Sequence, residues 1–234
     1  MRFQNTLLNA LGPMAVSRLG LKPIQLELRH EIERQHRPIT HLYFLEMGMA
    51  SMTATFRDGA QIEVGTFGYE SVIGLSALMG EKQALHRVYM QIAGHGYACP
   101  IDLAKKEFAR GGRFQALTLM YVQAQLVQAG QSIGCNAKHK VEPRLARWML
   151  ICADRSHSDT FRISHDLLAY MVGGTRATVS LAAGVLKRQS LIAYSRGLVT
   201  ILDRPRMEQA ACECYLTIKE HLKNMTEFDT SIVE

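Results

Sequence analysis

Residues 175–181 (TRATVSL) combine a guanidinium, hydroxyls and short apolar groups on one candidate helix. Taking Thr175 as the helix cap, the groove-facing set is Arg176, Ala177, Ser180, Leu181 and Gly184. Arg176 can make a bidentate bond to a guanine edge, worth about 1–3 kcal/mol of discrimination. Thr175, with the free backbone N–H groups of a helix start, can hold a phosphate, and Thr178 can do the same. Ala177 and Leu181 can touch a thymine methyl but cannot hydrogen-bond a base. Gly184 costs about 1 kcal/mol against alanine in a helix interior, so it is expected where another helix or DNA comes close.

Such a set works only if the chain presents it rigidly. Ser164 can cap a first helix, roughly 166–172, and Gly173-Gly174 permits a tight turn. The second helix should run to about Gln189. Residues 191–194 and 198–202 are β-rich runs around Ser195-Arg196-Gly197, the pattern of a hairpin wing. Ser164 and His165 at the first helix start, and Arg196 on the wing, are phosphate candidates or simple caps and solvent-exposed groups. Helix, glycine turn, helix and hairpin within 164–202 read as a winged helix-turn-helix. The bland alternative is two core helices and a hairpin of an unrelated fold.

Upstream, residues 1–20 suggest a short amphipathic helix, and Leu21–Leu28 begins an extended region. From there to about Ala98 the chain alternates short β-rich runs with glycine (HLYFLEMG, SMTATFRDG, QIEVGTFG, RVYMQIAGHG), which suggests a sandwich or roll. Arg57-Asp58-Gly59 is a hairpin turn signal. Residues 114–134 carry no charge and have helical periodicity. Leu117, Met120, Ala124 and Val127 form one apolar stripe; Leu119, Val122, Leu126 and Ile133 form a second. A surface helix needs one apolar face, so two suggest contact with its own β-roll and with a partner. The first stripe has the seam spacing and is assigned to the dimer interface; a fully buried core helix is the alternative. Residues 136–140 are expected to interrupt this helix as a hinge, and 141–154 form another amphipathic helix.

The 234 residues carry a net charge of +6. The excess is uneven: +3 over residues 1–137, +6 over 138–210 and −3 over 211–234. The basic surplus therefore lies where phosphate neutralisation would need it. No signal-peptide pattern is expected at the start. Five glutamines in 114–134 argue against a membrane span, so a cytoplasmic location is expected. No nucleophile elbow, P-loop or metal-ligand motif marks an enzyme, and nothing pairs Glu70 with His86 as acid and base.

The segment 164–202 resembles the DNA-binding domain of the Crp/Fnr family of bacterial transcription regulators. The matching residues are Leu168-Ala169, Gly173, Thr175-Arg176, Thr178-Val179-Ser180, Leu186 and Leu191-Ile192. Leu42-Tyr43-Phe44, Gly48-Met49, Asp58-Gly59 and the run 68–74 (GYESVIG) resemble the β-roll sensor domain of the same family. The resemblance implies an α+β fold: a cyclic-nucleotide-binding-like β-roll over 1–111, a dimerisation helix and hinge over 112–137, and a winged helix-turn-helix with a C-terminal helix over 138–234. It also implies a homodimer on a palindromic double-stranded DNA operator, with RNA polymerase as a partner. Many members have Glu where Ala177 stands and Arg where Leu181 stands, so the usual operator does not carry over. A ligand-binding or interaction module with a degenerate helix-turn-helix and only non-specific DNA binding is the second reading.

The family's cyclic-nucleotide cassette holds the phosphate with a helix start and an Arg, and the ribose with a Glu. Here Gly74, Ser76, His86 and Arg87 occupy that pocket. Leu75 stands where the Glu is needed, and His86 takes the Arg position. A one-residue shift would turn Arg87 to the opposite face of its strand. Cyclic AMP is therefore not expected, and a sensor without a ligand is equally compatible. Haem is not expected either, since His30, His36, His41, His86, His95 and Cys99 show no ligand spacing. The family's iron–sulfur cluster needs N-terminal cysteines, and none precedes Cys99. The others are Cys135, Cys152, Cys212 and Cys214; disulfides are not expected. Cys212 and Cys214 fall in an apparent helix over 206–215, where their spacing would turn them to different sides. They are read as core or surface thiols, with no metal site.

Overall fold

A computed structural model describes residues 2–57, 59 and 61–226. Asp58 of the expected turn, and residues 227–234 of the expected C-terminal domain, lie outside the described residues. The chain divides into two compact units. The first comprises 1–52, 66–127 and the segment from 220 on; the second comprises 53–65 and 128–219.

The first unit opens with α1 (Thr6–Ala10) and α2 (Pro13–Arg18). These are two short helices rather than one, because Leu11 and Gly12 fall between them and Pro13 starts the second. Then come β1 (Lys22–Leu26), β2 (Glu31–Glu33), β3 (His41–Thr55), β4 (Gln61–Phe67), β5 (Val72–Ile73), a 3-10 turn over Leu75–Met79, and β6 (Arg87–Pro100). The strands form one sheet ordered β1-β6-β3-β4, with β2 also on β6 and β5 also on β3. The long β3 and β6 are its spine. Gly94 and Gly96 let the two backbones approach: an added Cβ would lie 1.9 Å from the Met47 carbonyl oxygen and 2.1 Å from that of Phe44. The apolar faces of β1, β3 and β6 supply Leu26, Leu42, Phe44, Val88 and Met90 to one core.

Helix α3 (Ile101–Phe108) follows, and then α4 (Arg113–Lys138), which begins in the first unit and ends in the second. The first apolar stripe, expected to meet a partner, faces inward, and Val122 of the second stripe packs against the same core. Leu117 and Ala124 are 5% and 2% exposed and sit in the core of their own β-roll, with Met120 packed against it. Leu119, Leu126 and Ile133 are 48%, 64% and 71% exposed. The helix also continues through Asn136 to Lys138, since 136–138 (NAK) contains no breaker; it stops only at His139-Lys140.

The second unit continues with α5 (Val141–Ser156), β7 (Thr160–Arg162), α6 (His165–Val172), α7 (Arg176–Arg188), β8 (Ile192–Ser195), β9 (Leu198–Ile201), α8 (Arg204–Ala210) and α9 (Cys214–Thr226). The strands make a small antiparallel sheet ordered β7-β9-β8. Leu145, Trp148 and Met149 of α5, Leu168 of α6, Val179 and Leu186 of α7, and Val199 of β9 are all buried. The single helix expected over 206–215 is broken: residues 211–213 leave helical conformation between α8 and α9. Among the described residues, no helix is long and apolar enough to cross a membrane.

Candidate nucleic-acid interface

Glycine and hydroxyl chemistry fix the turn between α6 and α7. Gly173 closes α6 at φ +60, a left-handed conformation that favours glycine. Its N–H bonds to the Tyr170 carbonyl (3.3 Å) and that of Gly174 to the Ala169 carbonyl (3.0 Å), which satisfies the last carbonyls of α6. Thr175 then caps α7, its Oγ1 accepting from the Thr178 N–H at 3.2 Å. The Thr175 and Thr178 hydroxyls lie 2.8 Å apart. Ser164 caps α6 in the same way through the Leu167 N–H.

The expected reading face is on the surface. Arg176, Ala177, Ser180 and Leu181 are exposed, with Leu181 at 74%. Val179, Ala182, Ala183 and Leu186, on the opposite side of α7, are buried. His165 joins this face to its support. Its Nδ1 lies 2.9 Å from Ser180 Oγ, and its ring lies 4.5 Å from that of Tyr194 on β8. Tyr194 donates in turn to the Ile163 carbonyl at 3.0 Å. Sequence reasoning offered His165 for phosphate; here it ties α6, α7 and the wing together. Arg196 and Gly197 form the wing tip, both at positive φ (+48 and +76), as a two-residue hairpin turn of this hand requires. The Arg196 side chain is exposed there. At Gly184 an added Cβ would meet only Arg188 Nη1 at 3.5 Å, so no neighbouring helix requires that glycine.

Two of the expected effector residues, Gly74 and Arg87, are held by neighbours in the fold. Gly74 is buried against the His41 carbonyl and begins a 3-10 turn of five residues. Arg87 is committed elsewhere: its Nε donates to Glu31 Oε1 at 2.6 Å, and its guanidinium stacks 4.7 Å over Tyr89. A cavity of about 410 Å³ instead lies beside β2, lined by residues that include Glu31, Glu33, Arg34, Arg37, His41 and Tyr43. Sequence reasoning missed it, since its lining comes from β2, β3, the loop between them and the distant Ala84. Glu33 Oε1 is buried there without a hydrogen-bond partner, and burial pushes the carboxyl up to about 7.

The thiols also differ from expectation. All five cysteines are free and buried. Because 211–213 is not helical, Cys212 and Cys214 do not diverge around a helix; both face Cys135.

A capped recognition helix on a two-helix support beside a three-stranded wing, in a chain that also carries a β-roll, defines a DNA-binding transcription regulator. The chain resembles regulators of the Crp/Fnr type. Residues 143–210 match the Crp-like helix-turn-helix domain. The global nitrogen regulator of Synechococcus elongatus is 24% identical over 217 residues, spanning 88% of this chain and 97% of that protein. The protein of the same name from a Nostoc species is 26% identical, over 70% of this chain and 78% of its own. The fold is that of a putative Crp/Fnr regulator from Eubacterium rectale (TM-score 0.69, 17% identity, 87% of this chain and 96% of that one). It is equally that of FixK2 from Bradyrhizobium japonicum (TM-score 0.70, 15% identity, 82% and 98%).

Proposed function

We propose that the protein is a homodimeric, sequence-specific regulator acting in the cytoplasm, each chain placing α7 in the major groove of one half of a two-fold-symmetric site. The observation that carries this is the exposed face of α7, with Arg176 in its first turn and a buried face directly behind it. Arg176 reads a base edge, and Ala177 and Leu181 contact methyls. The Thr175 end of α7 and Arg196 bind phosphates, which fix the register without reading sequence. Two chains pair through the outward stripe of α4, Leu119, Leu126 and Ile133. Those residues recur every seven positions, which keeps them on one side of the helix. RNA polymerase is the partner such a complex would recruit or block. No cofactor is required for this reading. If an effector acts, the cavity at Glu33 accommodates it better than the Gly74–Arg87 set, because Arg87 is already neutralised by Glu31.

Selection of bound sequences from a random duplex pool, at near-physiological salt without added ligand, tests the proposal. Enrichment of a two-fold-symmetric motif is expected, and Arg176→Ala should abolish the preference while leaving dimerisation intact. One specific hydrogen-bonded base contact is worth about 1–3 kcal/mol, roughly tenfold or more in discrimination. Binding without any enriched motif would instead establish a helix-turn-helix that grips DNA only through charge.

A further inference from the structure

Three thiols and an imidazole converge where α4 ends and the chain passes from α8 into α9. Cys135 lies in the last turn of α4, and His139 follows one helical turn later. Cys212 and Cys214 flank Glu213 in the entry to α9. One donor atom from each of the four lies within 4.8 Å of every other. Cys135 Sγ is 3.5 Å from Cys212 Sγ, and Cys214 Sγ is 3.6 Å from His139 Nδ1. A tetrahedral zinc ion with bonds of about 2.3 Å to sulfur and 2.0–2.1 Å to nitrogen has edges of about 3.8 Å between sulfurs and about 3.6 Å between sulfur and nitrogen. The two separations are close to those edges. They are far longer than a disulfide bond of about 2.05 Å.

The surroundings are those of a metal site as well. The three cysteines are buried against one another. Glu213 Oε1 lies 3.2 Å from His139 Nε2, so a carboxylate orients the imidazole by its far nitrogen. Gln131 Nε2 donates to Cys214 Sγ at 3.1 Å. Three sulfurs and one nitrogen suit zinc and disfavour magnesium or calcium, which take oxygen ligands. The span has room for one ion, whereas an iron–sulfur cluster distributes its thiolates over several irons.

We propose that Cys135, His139, Cys212 and Cys214 form a closed Cys3His site for one Zn²⁺ ion. On binding, zinc–sulfur bonds replace the remaining S–H bonds and the protons pass to solvent. The ion clips the end of α4 to the α8–α9 connection and explains why the helix breaks at 211–213. The site stands whether or not α7 reads sequence.

The test uses the full chain purified without a metal-chelating tag. About one zinc per chain should survive dialysis. After stripping with chelator, cobalt chloride alone should produce a thiolate-to-metal charge-transfer band and intense tetrahedral visible bands. These should saturate at one equivalent and vanish when zinc chloride is added. No retained zinc together with only a weak octahedral cobalt spectrum would overturn the proposal, as would a Cys135–Cys212 disulfide in the freshly purified chain. Cys212→Ser could unfold the chain, so His139→Asn, at a helix end, is the second variant. With its far-ultraviolet circular dichroism unchanged, it should bind zinc at least 100-fold more weakly; wild-type affinity would refute the Cys3His set. Cys152→Ser, outside the cluster, should retain the metal.

Discussion

Glu33 shows how one buried carboxyl can set the behaviour of a domain. Its Oε1 has no hydrogen-bond partner, and its carboxyl is raised by burial to about 7, against 4.5 without it. The acid form is the one the fold favours. Below about pH 4.5 the side chain is protonated in both folded and unfolded chains and contributes nothing. As pH rises from there to about 7 the unfolded chain ionises first, so stability falls; above 7 the loss is constant. The direction is the reverse of a salt-bridged carboxylate. Glu33→Gln should therefore stabilise the protein at pH 8, by up to the order of 3 kcal/mol, and change little at pH 4. Denaturant unfolding of both forms at the two pH values checks this, and an equal effect at both would show that Glu33 is not buried uncharged. Arg34, Arg37, His41 and Tyr43 line the same cavity. A ligand that donates a hydrogen bond to Glu33 would offset the cost and bind more tightly to the protein than to the Gln variant.

Glycines separate the elements that tolerate change from those that do not. Gly96 in β6 faces the backbone of β3, and a methyl there would overlap the Phe44 carbonyl at 2.1 Å. Backbone cannot swing aside as a flexible side chain can, so Gly96→Ala should destabilise by about 3 kcal/mol or more. For a chain of this size that lowers the melting temperature by roughly 6–12 °C. Gly184 in α7 is the opposite case. An added Cβ makes an ordinary contact with Arg188, so Gly184→Ala should stabilise by up to about 1 kcal/mol. If it also weakens DNA binding, the glycine serves the groove and not the fold. Both changes are read by thermal unfolding, the second also by a binding titration. The same elements show what a sequence can and cannot disclose. The helix-turn-helix was legible because local chemistry punctuates it: Ser164 and Thr175 cap, Gly173 stops, and Arg196-Gly197 turns. The two stripes of α4 were legible as stripes, but periodicity gives an angle between faces and not the identity of what each face meets. The break between α8 and α9 had no glycine or proline to announce it. It brings Cys212 and Cys214 to Cys135, more than seventy positions away in the chain.

At the scale of the whole molecule, the proposed regulator must bring two reading helices to one DNA site. A single α7 contributes few hydrogen-bonding groups to base edges, since Ala177 and Leu181 offer none, and the proposed dimer would double them. The outward stripe of α4 leaves Leu119, Leu126 and Ile133 in water. Burying such side chains is worth about 1.5–3 kcal/mol each, and a second copy of the same helix presents a matching seam. Leu126→Glu places a charge at the centre of that seam. Its side chain is exposed within the chain, so the fold itself should survive. The expected result is a monomer by sedimentation, with unchanged circular dichroism and the basic surplus of residues 138–210 intact. On a two-fold-symmetric site with half-sites about 34–36 Å apart, the variant should lose most of its affinity. On unrelated duplex its weak, salt-sensitive binding should remain. Leu117→Glu is the contrasting change: it buries a charge in the β-roll and should unfold the first unit before any effect on pairing can be read. A Leu126→Glu chain that still sediments as a dimer would place the interface elsewhere and return the α4 stripe to the status of an ordinary exposed face.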